Sequence, residues 1–343
     1  MSQYGLRPRH LGVSPSTFEL IGPWTRPERM QPYQPTAGER AFWVIFTVLL
    51  LSVLIVGAML ARRNLRLGRG DRRGAFRLAA FAFVAYGVAV FFGPHHVPDF
   101  GEVALFIQLL VSGCGFSFFL WTLYIALEPY VRRHWPGALV SWSRLLAGGV
   151  RDPMVGRDVL AGCLVAAFGG ALAGLGWFIP SWLGYAPPQP YSGPQWDFLG
   201  ARAIISDLSL SLGPVLVIPL AMLFVLVLLR GLLRKEWAAA AAFVLLFTFL
   251  FAAGSQFAPV VLATSLIYWG LLVFLLIRFG LLAFAAQGFF SGIFRIFPLT
   301  TQSSAWYAGI SLAGILLMAA IAFYGFYTSL GGRPVFGGAL IEE

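Results

Sequence analysis

The chain has 343 residues, 59% of them hydrophobic and 11% charged, with a mean hydropathy of +0.79, which places it outside water-soluble domains and among polytopic membrane proteins. Its formal charge of +10 does not make it a nucleic-acid binder, because the basic residues sit in short loops between apolar runs rather than on one face of a soluble fold. Cys114 and Cys163 lie inside apolar runs, spaced neither as a disulfide framework nor as metal ligands, and both are expected to be small buried hydrophobes.

Residues 1–40 carry five arginines, three glutamates and six prolines with no helical period. They lack the apolar stretch of a cleavable signal peptide, so the first span is expected to act as the insertion signal. Such a tail is disordered on its own, and order in it would require contact with another protein subunit. A first span is predicted over 41–61, since about 20 apolar residues at 1.5 Å each cross a 30 Å hydrocarbon layer. Residues 62–77 then hold seven arginines against the single acid Asp71, the strongest orientation signal in the chain, and are predicted to be cytoplasmic. A second span over 78–92 leads to an external turn containing His95, His96 and Asp99.

A third span, 103–127, returns to a central polar segment, 128–158, whose Arg132, Arg133, Arg144, Arg151 and Arg157 place it on the same side as 62–77. The fourth span, 159–183, is rich in glycine, and its Gly170-x-x-x-Gly174 spacing predicts close helix approach. The loop from Tyr185 to about Leu212 is expected outside, with Trp182, Tyr185 and Tyr191 at the headgroups. Spans five and six cover 214–233 and 238–253, and the minimal Gly254-Ser255-Gln256-Phe257 turn after span six predicts an antiparallel hairpin with span seven. Span seven begins near Val260 and reaches Arg278, but the apolar run continues to Phe290 and leaves its end open. Span eight, 306–330, leaves an external C-terminal tail, 331–343.

The expected fold is thus all-α: a polytopic bundle of about eight transmembrane helices in a membrane domain 41–330, N-out and C-out, in a bacterial inner membrane. Seventeen basic residues fall on the proposed cytoplasmic side and only Arg202 and Arg333 in the external loops and C-terminal tail. Reversing the orientation would put the seven-arginine loop outside, against the positive-inside bias.

Chemistry-bearing patterns are sparse. Acidic residues lie near span ends and in loops, and Arg278 is the one charge within a long apolar run, where it is expected to snorkel to the interface. No histidine falls mid-span, so a haem held between two helices has no ligands there. His95 and His96, with Asp99 and Glu102, are the candidate contact for a metal, pigment or haem at the external turn, set against a hydrogen-bonded interfacial turn. Gly68-Arg69-Gly70-Asp71 matches the Gly-x-Gly-Asp of intramembrane aspartyl proteases but lacks the second aspartate in an apolar setting. It reads as a flexible basic turn. Zinc-protease and kinase motifs are missing as well. In the central segment, Pro129 and Pro136 break the third helix and 140–146 suits a short interfacial helix with Trp135 and Trp142 in the headgroups. Arg132, Arg133, Trp135, Trp142, Arg144, Arg151 and Arg157 together form a candidate docking surface for a partner or anionic lipid.

Four stretches carry a resemblance: Ala-Arg-Arg-Asn-Leu-Arg-Leu-Gly-Arg-Gly-Asp-Arg-Arg-Gly-Ala-Phe-Arg (61–77), Leu-Glu-Pro-Tyr-Val-Arg-Arg-His-Trp-Pro (127–136), Arg-Asp-Pro-Met-Val-Gly-Arg-Asp (151–158), and Phe-Pro-Leu-Thr with Ser-Ala-Trp-Tyr-Ala-Gly (297–309). From about Phe18 to Phe336 the chain resembles the membrane region of large bacterial serine/threonine protein kinases of the acidobacterial type. In that family a kinase domain, one span and an external domain precede the multi-span region, and residues 18–30 resemble the end of the external domain. The resemblance therefore implies an external N-terminal tail. Nothing in the chain matches the kinase itself, so no catalytic residue carries over and no enzyme activity is expected. Three functions follow as expectations: a non-catalytic module acting through protein partners as anchor, sensor or accessory subunit; an accessory subunit of a respiratory or photosynthetic complex with a pigment or haem at His95 or His96; and a transporter or lipid-handling protein.

Overall fold

A computed structural model describes residues 36–184, 200–252 and 258–333, and these are helical with no strand among them. Helix α1 spans Ala37–Arg66 and α2 spans Arg72–Phe92; α3 (Gly101–Gln108) continues through a π-helical turn, Leu109–Gly113, into α4 (Cys114–His134). A 3-10 turn, Pro136–Leu139, and the short α5 (Val140–Leu146) lead to α6 (Pro153–Trp182). Then follow α7 (Ala201–Leu233), α8 (Glu236–Ala252), α9 (Ala258–Arg278), α10 (Leu281–Ile296) and α11 (Ala308–Ser329). Seven helices, counting α3 to α4 as one, are long and apolar enough to cross a membrane, while α8 and α10 are apolar but shorter, at 17 and 16 residues. The protein is an all-α, multi-pass membrane protein.

Local chemistry starts the helices where the polar loops end. Thr36 and Glu39 close a capping box on α1. Asp71 accepts from Gly74 N–H at 2.8 Å to start α2, and Asp152 accepts from Met154 N–H at 2.8 Å to start α6, with Pro153 in the first turn. Each cap satisfies a backbone donor that no earlier turn can pair. Burial then separates outer helices from inner ones. On α1 only Val53, Gly57, Ala61 and Asn64 are buried, one stripe at helical spacing laid on α4. Most of the other apolar side chains of α1, such as Trp43, Val44, Leu51, Ile55 and Met59, are exposed, as expected of a helix facing lipid.

Helix α10 is the opposite case. Its first five residues, then Gln287, Phe290 and Ile293, are all buried among α6, α7, α9 and α11. It begins at Gly280, where φ is +92° and a β-carbon would come within 2.3 Å of the Ala138 carbonyl oxygen. Only glycine tolerates both that dihedral and that approach. Along α6, Gly162 faces Ala283 and Gln287 whereas Gly170 faces Phe294, so the two helices run in the same direction. The open end of the seventh span is thereby settled: α9 stops at Arg278, the chain turns at Gly280, and α10 passes back through the bundle as a further helix.

Because α10 runs parallel to α6, α11 finishes at the end where α6 begins. Gly156, the fourth residue of α6, packs on Gly325, Thr328 and Ser329; Gly331 meets Pro153, and Tyr324 OH donates to the Val150 carbonyl. Residues 331–333 therefore lie at the same end of the bundle as segment 128–158, not at the opposite end expected from eight spans. Two smaller expectations are corrected with them. Cys163 is buried but Cys114 is exposed. The close approaches on α6 occur at Gly156, Gly162 and Gly169, whereas Gly174 has nothing within 4 Å of a β-carbon position and Gly170 makes only ordinary contact with Phe294.

Candidate functional site

The end of the bundle that carries 62–77 and 128–158 is where the polar side chains of several helices meet. Asn64, buried near the end of α1, donates from Nδ2 to the carbonyls of Ile125 (2.9 Å) and Ala126 (3.1 Å) on α4. Its amide thus supplies donors to carbonyls whose helical bonds are disturbed by Pro129, which has no N–H to return to Ile125. Glu128, 5% exposed, accepts from Asp71 N–H at 3.3 Å and forms an ion pair with Arg132. Arg72 donates to the Leu65 carbonyl at 3.3 Å, and Arg77 to the Leu146 carbonyl at 2.8 Å. Gly68 and Gly70 hold positive φ between α1 and α2. The Gly-x-Gly-Asp pattern is therefore a tight turn ending in a helix cap.

Segment 128–158 is a fixed structural piece. Trp135 is 7% exposed, donates from Nε1 to Glu236 at 2.8 Å, and lies under the Arg230 guanidinium, 4.5 Å from its ring centroid. Trp142 is 4% exposed. Both belong to the apolar core with Leu139, Val131 and Tyr124, which corrects their expected place among headgroups. The reason is topological: α7 and α9 return to this end, α8 and α10 start from it, and together they cover the segment. Arg144 pairs with Asp152 at 2.7 Å, and Arg157 pairs with the buried Asp158 at 2.8 Å while lying over Phe279. Desolvation pushes the Asp152 carboxyl up, but the Met154 N–H and the Arg144 guanidinium outweigh it and hold the group below its ordinary value.

Of the seven residues expected to form a docking surface, two tryptophans thus point into the core and Arg132, Arg144 and Arg157 are satisfied within the chain. Arg133 and Arg151 are exposed and make no ion pair among the described residues, and the same holds for Arg62, Arg63, Arg69 and Arg73 of the α1–α2 corner. Sequence reasoning missed Asn64 and Glu236. The available signal was a lone amide near the end of an apolar run, and a carboxylate isolated among apolar residues after Lys235.

At the opposite end, His96 is held between two acceptors. Nδ1 lies 2.8 Å from Glu102 and Nε2 lies 2.8 Å from the Phe91 carbonyl. The Glu102 hydrogen bond first, then the Phe91 carbonyl, raise the imidazole above its ordinary value. Glu102 also accepts from Val97 N–H at 3.0 Å, and Arg202 of α7 donates to the carbonyls of Phe92 and Pro94. His96 therefore acts as a clamp of the α2–α3 turn. His95 is exposed and makes no hydrogen bond among the described residues, and no group of three His, Cys, Asp or Glu side chains suited to a metal ion is found among them.

No family model, curated protein or solved structure matches the chain.

Proposed function

We propose that this chain is a non-catalytic membrane module that acts through a protein partner docked at its arginine-rich end. One observation carries the reading: a group of exposed arginines, among them Arg62, Arg63, Arg66, Arg69, Arg73, Arg133 and Arg151, makes no ion pair among the described residues while the backbone that bears them is fixed by buried Asn64, Glu128, Trp135 and Trp142. Cations held on a rigid frame lose little freedom when they meet carboxylates or phosphates, so they are prepared for an acidic surface. The resemblance to the membrane region of bacterial kinases supports a signalling or accessory role, and the missing catalytic motifs support a module without enzyme activity.

In this reading α1 begins outside a bacterial cytoplasmic membrane, the arginine-rich end is cytoplasmic, and nine passes bring residues 331–333 to the cytoplasmic side. Charge counting tolerates this change. Moving Arg295 outside and Arg333 inside leaves seventeen basic residues against two, so the positive-inside bias supports both topologies equally. Helix α10, at about 24 Å, is shorter than the hydrocarbon layer, which suits a helix surrounded by others. The test is purification in mild detergent from the native membrane, comparing the wild type with Arg133→Glu combined with Arg151→Glu. A stoichiometric subunit retained by the wild type and lost from the variant supports the proposal. A wild type that is a partner-free monomer in detergent and in native nanodiscs refutes it.

A further inference from the structure

Between α2, the α3–α4 span and α7 lies a cavity of about 400 Å³. Two irregular pieces of helix shape it. The π-helical turn Leu109–Gly113 fits an extra residue into its turn and swells locally, and α7 contains Pro214, which breaks its hydrogen-bond ladder. Gly113 lets the rings of Phe83 and Tyr86 approach to about 3 Å of where a β-carbon would stand, so α2 closes one wall of the space. Ser112 and Leu210 at its edge are exposed, so the cavity opens sideways, where lipid chains lie.

The hydrogen bonding inside is incomplete. Several hydroxyls in the spans return to their own helix: Thr47 donates to the Trp43 carbonyl at 2.7 Å, Ser52 to Val48 at 2.7 Å and Thr122 to Phe118 at 2.8 Å. Ser112, Ser209 and Tyr86, all lining the cavity, have no hydrogen bond among the described residues. Pro214 offers no N–H to the carbonyl of Leu210, four residues earlier, and both residues line the same space. The walls therefore present hydroxyls without partners and, at Leu210, a carbonyl that lacks its regular helical donor, on a side facing lipid, where unpaired polar groups are costly. No charged side chain lines the cavity.

We propose that this cavity binds the hydroxyl end of a membrane-dissolved long-chain alcohol. An alcohol gives a proton to the Leu210 carbonyl and accepts one from a serine or tyrosine hydroxyl with the same oxygen. A ketone or ester accepts only, and a carboxylate or phosphate would enter without a countercharge. At ~30 Å³ per water-sized group the space holds about a dozen non-hydrogen atoms. That is the end of a single chain, with the remainder passing the Ser112–Leu210 edge into the bilayer, and is too little for a phospholipid.

The test uses the full chain in nanodiscs and a diazirine-bearing hexadecanol as the probe. Photolabelling is expected to saturate on peptides containing Tyr86, Ser112 and Ser209, to be displaced by unlabelled hexadecanol, and to resist displacement by hexadecyl methyl ether. The pair Ser112→Ala with Ser209→Ala, which adds no bulk, is expected to raise the half-saturating probe concentration about tenfold. Ser209→Phe should abolish the saturable component by filling the space. Labelling that never saturates and spreads over the lipid face of α1 overturns the site. Equal displacement by the ether overturns the assignment of an alcohol. Saturable labelling unchanged in the double alanine variant overturns the role of the two serines and with it the proposal.

Discussion

Gly162→Ala and Gly174→Ala are the same substitution in the same helix, and the structure gives them opposite signs. A β-carbon at Gly162 would stand 2.4 Å from the Ala283 carbonyl oxygen and 2.8 Å from both Ala286 Cβ and Gln287 N. Two of those three atoms are backbone, so no rotamer change relieves the contact. Helices α6 and α10 must part by about 1 Å, and a gap of that size forfeits roughly a quarter to a half of each dispersion contact across the seam. Overpacking of this kind costs about 1–3 kcal/mol. Removing a glycine from a helix interior returns about 1 kcal/mol, leaving Gly162→Ala destabilised by up to about 2 kcal/mol. At Gly174 nothing lies within 4 Å, so only the favourable change of about 1 kcal/mol remains. The assay is thermal unfolding of the two purified variants in one detergent, followed by the loss of the monodisperse peak in size exclusion. Gly162→Ala should melt below the wild type and Gly174→Ala at or above it. Equal midpoints for the two would refute the α6–α10 seam as described.

Single cysteines on a background with Cys114→Ala and Cys163→Ala should report sidedness to an impermeant thiol reagent: Arg333→Cys is expected to label from the same side as Gly137→Cys, and Gln302→Cys from the side of His95→Cys. If Gln302→Cys labels with Gly137→Cys and Arg333→Cys with His95→Cys, the bundle makes an even number of passes and α10 does not traverse it. For the ion pair on α6, Arg157→Ala should cost more than Asp158→Asn, about 3–5 kcal/mol for stranding a buried carboxylate, because Asp158 is 2% exposed at its side chain and Arg157 48%; denaturant melts that rank them the other way would disprove the assignment. His96 is raised above its ordinary 6.5 in the folded protein, so its contribution is complete below that value and is lost as pH rises through the folded pKa. The wild-type melting midpoint should therefore fall more than that of His96→Gln between about pH 6 and pH 8. Parallel pH dependences in the two proteins would remove the clamp.

How much was legible in the sequence differs from residue to residue. Apolar runs long enough to span a bilayer announce themselves by length alone, because a helix in hydrocarbon must satisfy its own backbone. The clustering of arginine at 62–77 and 128–158 likewise marked one end of the bundle. Trp135 and Trp142 went astray because a tryptophan next to arginines has the same local pattern in a headgroup layer and under a covering helix. Only the arrival of Glu236 and Arg230 decides between them. Gly170-x-x-x-Gly174 misled for a related reason: spacing says that two glycines share a face but not that another helix lies on it, and the approach is made instead at Gly156, Gly162 and Gly169.

Composition and the length of the apolar runs by themselves determined that this is an all-α membrane protein with one strongly basic end, since both depend on what each residue does to the free energy of its own segment in lipid or water. The tertiary structure decided the rest. It turned the run after Arg278 into a separate buried helix, brought residues 331–333 to the arginine-rich end, left a group of exposed arginines there without an acid among the described residues, and opened a cavity where a π turn meets Pro214. Those outcomes depend on which distant segments share a surface, a pairwise property that single-segment hydropathy does not contain.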